Sequence, residues 1–168
     1  MPESRILIVM GSDSDLPVME SCIRTLRELG VRYDAQVCSA HRSPSAAAAL
    51  ASSAETGGYG AIIAAAGLAA HLPGVLAAYT TLPVIGVPIG GGPLKGMDAL
   101  LAIVQMPSGI PVATVAIDGG TNAAVLACQI LATADADLRT RLKAYKAKLE
   151  AGVGERNRRL QDKLADIK

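Results

Sequence analysis

The chain alternates short, wholly apolar runs with longer stretches in which apolar residues recur every three or four positions. The first run, RILIVM over Arg5–Met10, is rich in β-branched residues and stops at Gly11, the mark of a strand buried on both faces. The loop GSDSD follows, then a helix with Asp15 as its expected N-cap and Pro17 in its first turn. Val18, Met19, Cys22, Ile23 and Leu26 give that helix an apolar face, and Gly30 ends it. A weaker strand is expected over 31–38, the loop SAHRSP over 39–44, and an alanine-rich helix over 45–55 capped by Ser43 or Ser45. Further strands are expected over 60–66, 83–87 and 111–117. Between and after them the pattern predicts helices over 73–79, Met97–Val104 and 122–132, the last with Thr121 as its cap.

Five strands alternating with helices argue for a three-layer, doubly wound parallel sheet. The flavodoxin-like order 2-1-3-4-5 with right-handed connections is the usual five-strand solution. The reading is one α/β domain over 1–134 and a C-terminal helical tail over 135–168. In the tail Leu138, Leu142, Tyr145 and Leu149 make one helical stripe, Gly152 and Gly154 are expected to interrupt it, and Leu160, Leu164 and Ile167 form a second. The tail carries ten Lys+Arg against six Asp+Glu, so it is about +4 and the body about −3. Interspersed acids argue for a solvated amphipathic helix packed on the body or on a neighbouring subunit, not a nucleic-acid arm.

Composition narrows the function. Net charge is +1, with four Tyr and no Trp or Phe, which excludes a broad basic field and the stacking platforms of single-strand binders, so no nucleic-acid partner is expected. Thirty alanines and 17 glycines let elements pack closely. A mean hydropathy of +0.35 points to buried subunit contacts. The three cysteines are scattered with no C-x-x-C, so neither a disulfide framework nor a zinc site is signalled. The start, MPESRILIVM, does not read as a signal peptide, and the cytoplasm is the expected compartment. Residues 56–94 hold no Asp, Glu, Lys or Arg, but prolines and glycines cut the stretch well below the roughly 18–20 apolar residues of a spanning helix.

In such sheets ligands bind beyond the carboxyl ends of the strands. Three loops fall there: GSDSD, SAHRSP and AGLAAHLPG, holding both histidines of the chain, His41 and His71. Gly11 allows close backbone approach, Ser12 and Ser14 offer hydroxyls, and the following helix start presents N–H groups suited to a phosphate. Asp13 and Asp15 can accept from ribose hydroxyls or an amine. Arg42, the single cation of the three loops, can hold a phosphate bidentately, and His41 beside it can relay a proton. Small residues around His71 allow a tight, dry pocket suited to a small neutral reactant such as CO2. Residues 90–92 with Lys95 read equally as a mobile lid or a plain loop. Neither a G-x-S-x-G elbow nor a nucleotide fingerprint is present; a Cys38–His41 pair is the one nucleophile candidate, set against simple burial of Cys38.

These loops, followed by PVIGVP and LLAIVQMPSGIPVATVAIDGGTNAAVLACQIL, resemble the class I N5-carboxyaminoimidazole ribonucleotide mutases of purine biosynthesis, from about residue 5 to 133. The resemblance implies a flavodoxin-like homo-octamer and an isomerase of IMP biosynthesis that moves a carboxylate from N5 to C4 of the aminoimidazole ring through trapped CO2. No metal, ATP or biotin is implied. It implies that His41 moves the proton, with His71 as the second catalytic histidine. It sets Ser12, Asp15 and Arg42 on the ribonucleotide, with Gly11, Asp13, Ser14, Ser39 and Ala40 lining the same end. Gly67, Leu68, Ala69, Ala70 and Leu72 surround the ring and carboxylate. Leu68 stands where the related AGGAAHLPG form has glycine, which alters the pocket there. Class II carboxylases, which take free CO2, resemble SAHK and AGRSN in the same loops; Arg42 and Ala69-Ala70-His71 favour class I. The alternatives are such a carboxylase on this scaffold, or a non-catalytic flavodoxin-like module that binds a phosphorylated ligand.

Overall fold

The structure, a computed structural model, describes residues 5–167. The reading of the N-terminus as no leader rests partly on residues 1–4, outside those described. Five parallel strands form one sheet in the order β2-β1-β3-β4-β5. They are β1 (Arg5–Met10), β2 (Tyr33–Val37), β3 (Tyr59–Gly67), β4 (Val84–Ile89) and β5 (Ala113–Thr114). The helices are α1 (Leu16–Glu28), α2 (Pro44–Ala54), α3 (Leu72–Ala78), α4 (Met97–Val104), α5 (Gly120–Leu131) and α6 (Ala136–Ala165). The expected doubly wound, flavodoxin-like architecture is the one observed.

Period-two alternation on the buried strands divides the core in two. Ile6, Ile8 and Met10 of β1, with Ala61, Ile63 and Ala65 of β3, pack under α1, α5 and the start of α6. Leu7 and Val9, with Ile62, Ala64 and Ala66, pack under α2, α3 and α4 on the other face. Small residues permit this closeness: a Cβ on Gly86 of β4 would collide with Ile103 of α4.

Several boundaries differ from expectation. β2 is a five-residue strand at the edge of the sheet, paired with β1 along one side and mostly exposed. β5 shrinks to Ala113–Thr114. Pro111 has no N–H to donate, and the segment continues beside β4 through separate bonds, Val115 N–H to Gly86 O (3.1 Å) and Asp118 N–H to Pro88 O (2.9 Å). α5 begins at Gly120 with Gly119 at its N-cap position, so Thr121 lies inside the helix and does not cap it. Ser43 sits at the N-cap position of α2 without a side-chain cap bond, its hydroxyl donating instead to Ser39 O (2.9 Å).

α6 is one helix of 30 residues, and Gly152 and Gly154 do not interrupt it. Each glycine costs about 1 kcal/mol relative to alanine, less than the surrounding Lys, Glu, Arg, Leu and Gln tolerate within a continuous helix. Asp135 caps it by accepting from Leu138 N–H (2.9 Å). Arg139 donates to Ala132 O (2.8 Å) and Thr133 O (2.9 Å), satisfying carbonyls just past the end of α5. Leu138 and Leu142 join the core, Lys148 pairs with Glu28 of α1, and Leu149, Val153, Leu160, Leu164 and Ile167 are exposed. Among the described residues no helix is long and apolar enough to cross a membrane.

Candidate active site

The carboxyl ends of β1, β2, β3 and β4 open into a cleft of about 620 Å³. It lies where the strand order reverses, β1 pairing with β2 on one side and β3 on the other. A larger cleft of about 900 Å³ is bordered by residues 77–84, at and before the amino end of β4, with Glu55 as its single charged lining residue. It holds neither histidine and none of the three loops, so the smaller cleft is the candidate site.

From β1, Gly11, Ser12, Ser14 and Asp15 line the cleft; Asp13 lies outside the lining. The GSDSD loop closes as one turn of 3-10 helix over Asp13–Asp15 with a capping box. Ser12 Oγ accepts from Ser14 N–H (3.3 Å), and Asp15 Oδ2 accepts from Ser12 N–H (3.1 Å). Asp15 makes no side-chain cap for α1 as the sequence suggests; its carboxylate turns back to the loop and is 6% exposed. Burial pushes its carboxyl above the ordinary aspartate range, the backbone N–H groups of Ser12 and Gly11 pull it back, and nearby Asp13 adds to the rise.

From β2, Ser39, Ala40, His41 and Arg42 line the cleft. The loop is wound tightly: Ser39 Oγ accepts from Arg42 N–H (3.2 Å), and Ser43 Oγ accepts from Ser39 N–H (3.3 Å). Among the described residues no carboxylate engages the exposed Arg42 guanidinium, which leaves it open to an anion. Cys38 is buried with its Sγ 3.9 Å from Ser43 Oγ, so its thiol is turned to the turn's own hydroxyl.

From β3, Gly67, Leu68, Ala69, His71 and Leu72 line the cleft, whereas Ala70 is 1% exposed in the core behind it. Two successive tight bonds, Ala70 N–H to Leu68 O and His71 N–H to Ala69 O (both 2.8 Å), fold the loop so that His71 begins α3. His71 occupies the N-cap position but makes no side-chain cap bond. Its Nδ1 lies 2.6 Å from His41 Nε2, with the rings edge to face at 4.8 Å between centroids. Among the described residues no group of three or more His, Cys, Asp or Glu could hold a metal ion.

Leu68 has φ 53°, a left-handed conformation that costs a leucine roughly 1–2 kcal/mol. The residue is 55% exposed. Sequence reasoning missed Ala66 and Ile89, which complete the walls, and Asp118, which reaches the site indirectly. Asp118 Oδ1 accepts from Gly90 N–H (2.7 Å) and so ties the glycine loop after β4 to the turn after β5. The aspartate before Gly119-Gly120, at φ 58°, marks such a turn, but nothing local says what it holds.

Comparison with known proteins agrees with this fold. A family model described as AIR carboxylase matches residues 5–152, past residue 133 and into α6. The chain is 53% identical over 155 residues to N5-carboxyaminoimidazole ribonucleotide mutase of Pyrococcus horikoshii, covering 92% of this chain and 88% of that one. To the protein of the same name from Thermotoga maritima it is 48% identical over 157 residues, covering 94% and 92%. It is 51% identical over 146 residues to phosphoribosylaminoimidazole carboxylase of Saccharomyces cerevisiae, covering 87% of this chain but 26% of that one. The crystal structure of Treponema denticola PurE superposes with a TM-score of 0.85 at 26% identity, covering 94% and 98%. With its sheet order, its loop set and the match over nearly its whole length, the chain belongs to the AIR carboxylase family.

Proposed function

We propose that the chain is an N5-carboxyaminoimidazole ribonucleotide mutase, an isomerase that moves the carboxylate from N5 to C4 of the aminoimidazole ring. The observation that carries the reading is the meeting of His41 and His71 inside a cleft with an arginine at its rim and small, uncharged residues along its wall. Arg42 holds the phosphate bidentately, and Gly11, Ser12, Ser14, Asp15, Ser39 and Ala40 hold the ribose end. Gly67, Leu68, Ala69 and Leu72 enclose the ring and carboxylate.

The histidine pair gives a proton to N5 as the carbon–nitrogen bond breaks, and the bonding electrons stay with nitrogen as the amine forms. CO2 is freed and kept beside the ring. C4, made nucleophilic by the conjugated amine, attacks CO2 and forms the new carbon–carbon bond. The proton displaced from C4 returns to the histidines and the ring is restored. One proton leaves the pair and one returns, with no electron gained or lost. Holding CO2 against C4 replaces a bimolecular capture by an effectively unimolecular one.

In this reading the α/β body over 1–134 is the catalytic unit, and the chain works as a cytoplasmic homo-octamer. The exposed row Met97, Leu101 and Val104 along α4, with Leu94 in the turn before it, supports burial between subunits. The name of the yeast relative keeps a second reading, carboxylation of aminoimidazole ribonucleotide with free CO2. A paired assay tests both. Turnover of N5-carboxyaminoimidazole ribonucleotide, with slow turnover of aminoimidazole ribonucleotide at high CO2, is the expected result. The reverse preference establishes the carboxylase, and silence in both arms with ribonucleotide still bound leaves a binding module.

A further inference from the structure

Leu68 is an unusual place for a large apolar residue. Its backbone sits at φ 53°, where glycine is unstrained, and more than half of the residue is exposed, so folding gains little from it. Its tip lies against Gly92. A Cβ built on Gly92 would stand 2.6 Å from Leu68 Cδ2, so the leucine tip occupies the place a side chain at 92 would need. Gly92 itself has φ 60°. Gly90, at the other end of this glycine run, is held by Asp118, and a Cβ on Gly91 would meet nothing within 4 Å. The glycine run is thus pinned at one end by a hydrogen bond and backed at the other by a leucine, with a free residue between. All of Leu68, Gly90, Gly91 and Gly92 line the histidine cleft.

We infer that Leu68 is a latch for this loop: seated on Gly92, it bridges the β3 and β4 loops and closes the cleft wall through which CO2 would otherwise escape between bond cleavage and recapture. The inference rests on the mutase reading above. It adds to the place of Leu68 in the wall around the ring and carboxylate a positioning role, retention of the intermediate. Strain at residue 68 is the cost of placing a side chain where the backbone favours none, and Gly92 is the matching vacancy.

The test is the fate of a labelled carboxylate. N5-carboxyaminoimidazole ribonucleotide carrying ¹³C in its carboxylate is turned over by wild type, Leu68→Ala, Leu68→Gly and Leu68→Met. Label in the C4 carboxylate is compared with label lost to bicarbonate, after subtraction of protein-free decay. Leu68→Ala and Leu68→Gly are expected to raise the lost fraction per turnover roughly tenfold, the effect of deleting one apolar contact of ordinary strength. Leu68→Met, which keeps the reach, restores retention. Leu68→Gly relieves the backbone and is expected to melt no lower than wild type, so leakage and stability move independently. Gly92→Ala is expected to leak in the wild-type background and to add little in Leu68→Ala, since the strain of alanine at 92 is common to both. Equal partitioning in wild type and Leu68→Ala, or strictly additive effects at 68 and 92, overturns the latch while leaving the mutase in place. A wild-type protein without mutase turnover overturns the underlying reading and the latch with it.

Discussion

His41 Nε2 and His71 Nδ1 stand 2.6 Å apart although 30 positions separate them in the chain. One proton must lie between two nitrogens at that distance, so the tautomers of the two rings are linked. When both rings are neutral and His41 donates, its own Nδ1 is bare and His71 carries its proton on Nε2. One outer nitrogen is then a base and the other an acid. A proton taken at one ring can be delivered from the other without either leaving the cleft.

His41→Asn is expected to lower kcat by about 10² to 10⁴, the usual range for a lost proton-transfer group, with product affinity held within a few-fold. His71→Asn breaks the same relay and is expected to fall in the same direction by a smaller factor. Steady-state kinetics beside equilibrium binding of the product read both. Loss of binding with kcat intact would move the histidines to an anchoring role.

Arg42→Ala is expected to raise KM and product Kd by roughly 10- to 100-fold, the scale of a lost charge-assisted hydrogen bond. The corresponding nucleoside, which has no phosphate, is expected to bind wild type and variant alike. An equal loss for both ligands would place Arg42 elsewhere on the substrate.

Asp15 titrates above the ordinary 3.8 in the folded chain because it is buried. The folded state therefore holds this proton more tightly than the unfolded state. The stability it contributes is whole below about pH 4 and is lost as pH rises through the folded value. Denaturant titrations at pH 4, 5, 6 and 7 are expected to show wild type losing stability relative to Asp15→Asn as pH rises. A difference that grows in favour of wild type would contradict this.

Cys22 and Cys128 are fully buried in the contact of α1 with α5, and their thiols are pushed up to about 12. Burial is the main cause for both; Cys22 is raised further by Cys128, and Cys128 is drawn partly back by Arg141. Stability is whole below pH 9 and is expected to fall above it by up to roughly 1.4 kcal/mol per pH unit for each thiol. Cys22→Ala should flatten that alkaline slope. Unfolding at pH 8 and 10.5 measures it, and equal slopes would overturn the assignment.

Gly152 and Gly154 lie within α6 with nothing within 4 Å of an added Cβ. Changing either to alanine is expected to stabilise the helix by roughly 0.5–1 kcal/mol. Amide exchange along 149–160 is expected to slow in the variants. Unchanged exchange would mean that this segment's order is set by something other than helix propensity.

Local pattern carried most of the architecture. Buried runs such as RILIVM admit only a strand between two layers, and their alternation with helices leaves few topologies open. The same logic located the three loops, because a parallel sheet gathers the carboxyl ends of its strands at one edge. It failed where the deciding forces were not local. Gly152 and Gly154 read as breaks because propensity is a property of single residues, whereas a helix of 30 residues is held by its cap, its core leucines and its neighbours. Asp15 read as a cap for α1 because spacing does not reveal that its carboxylate turns back to Ser12. Above all, a sequence shows two histidines 30 positions apart and an aspartate 47 positions from the nearer of them, and no spacing rule joins these. Strand order does. Placing β2 and β3 on either side of β1, and β5 beside β4, brings loops distant in sequence within a hydrogen bond of one another. The residue types of the site belong to the sequence. Which ring faces which, which leucine rests on which glycine, and which loop Asp118 holds were decided by the sheet.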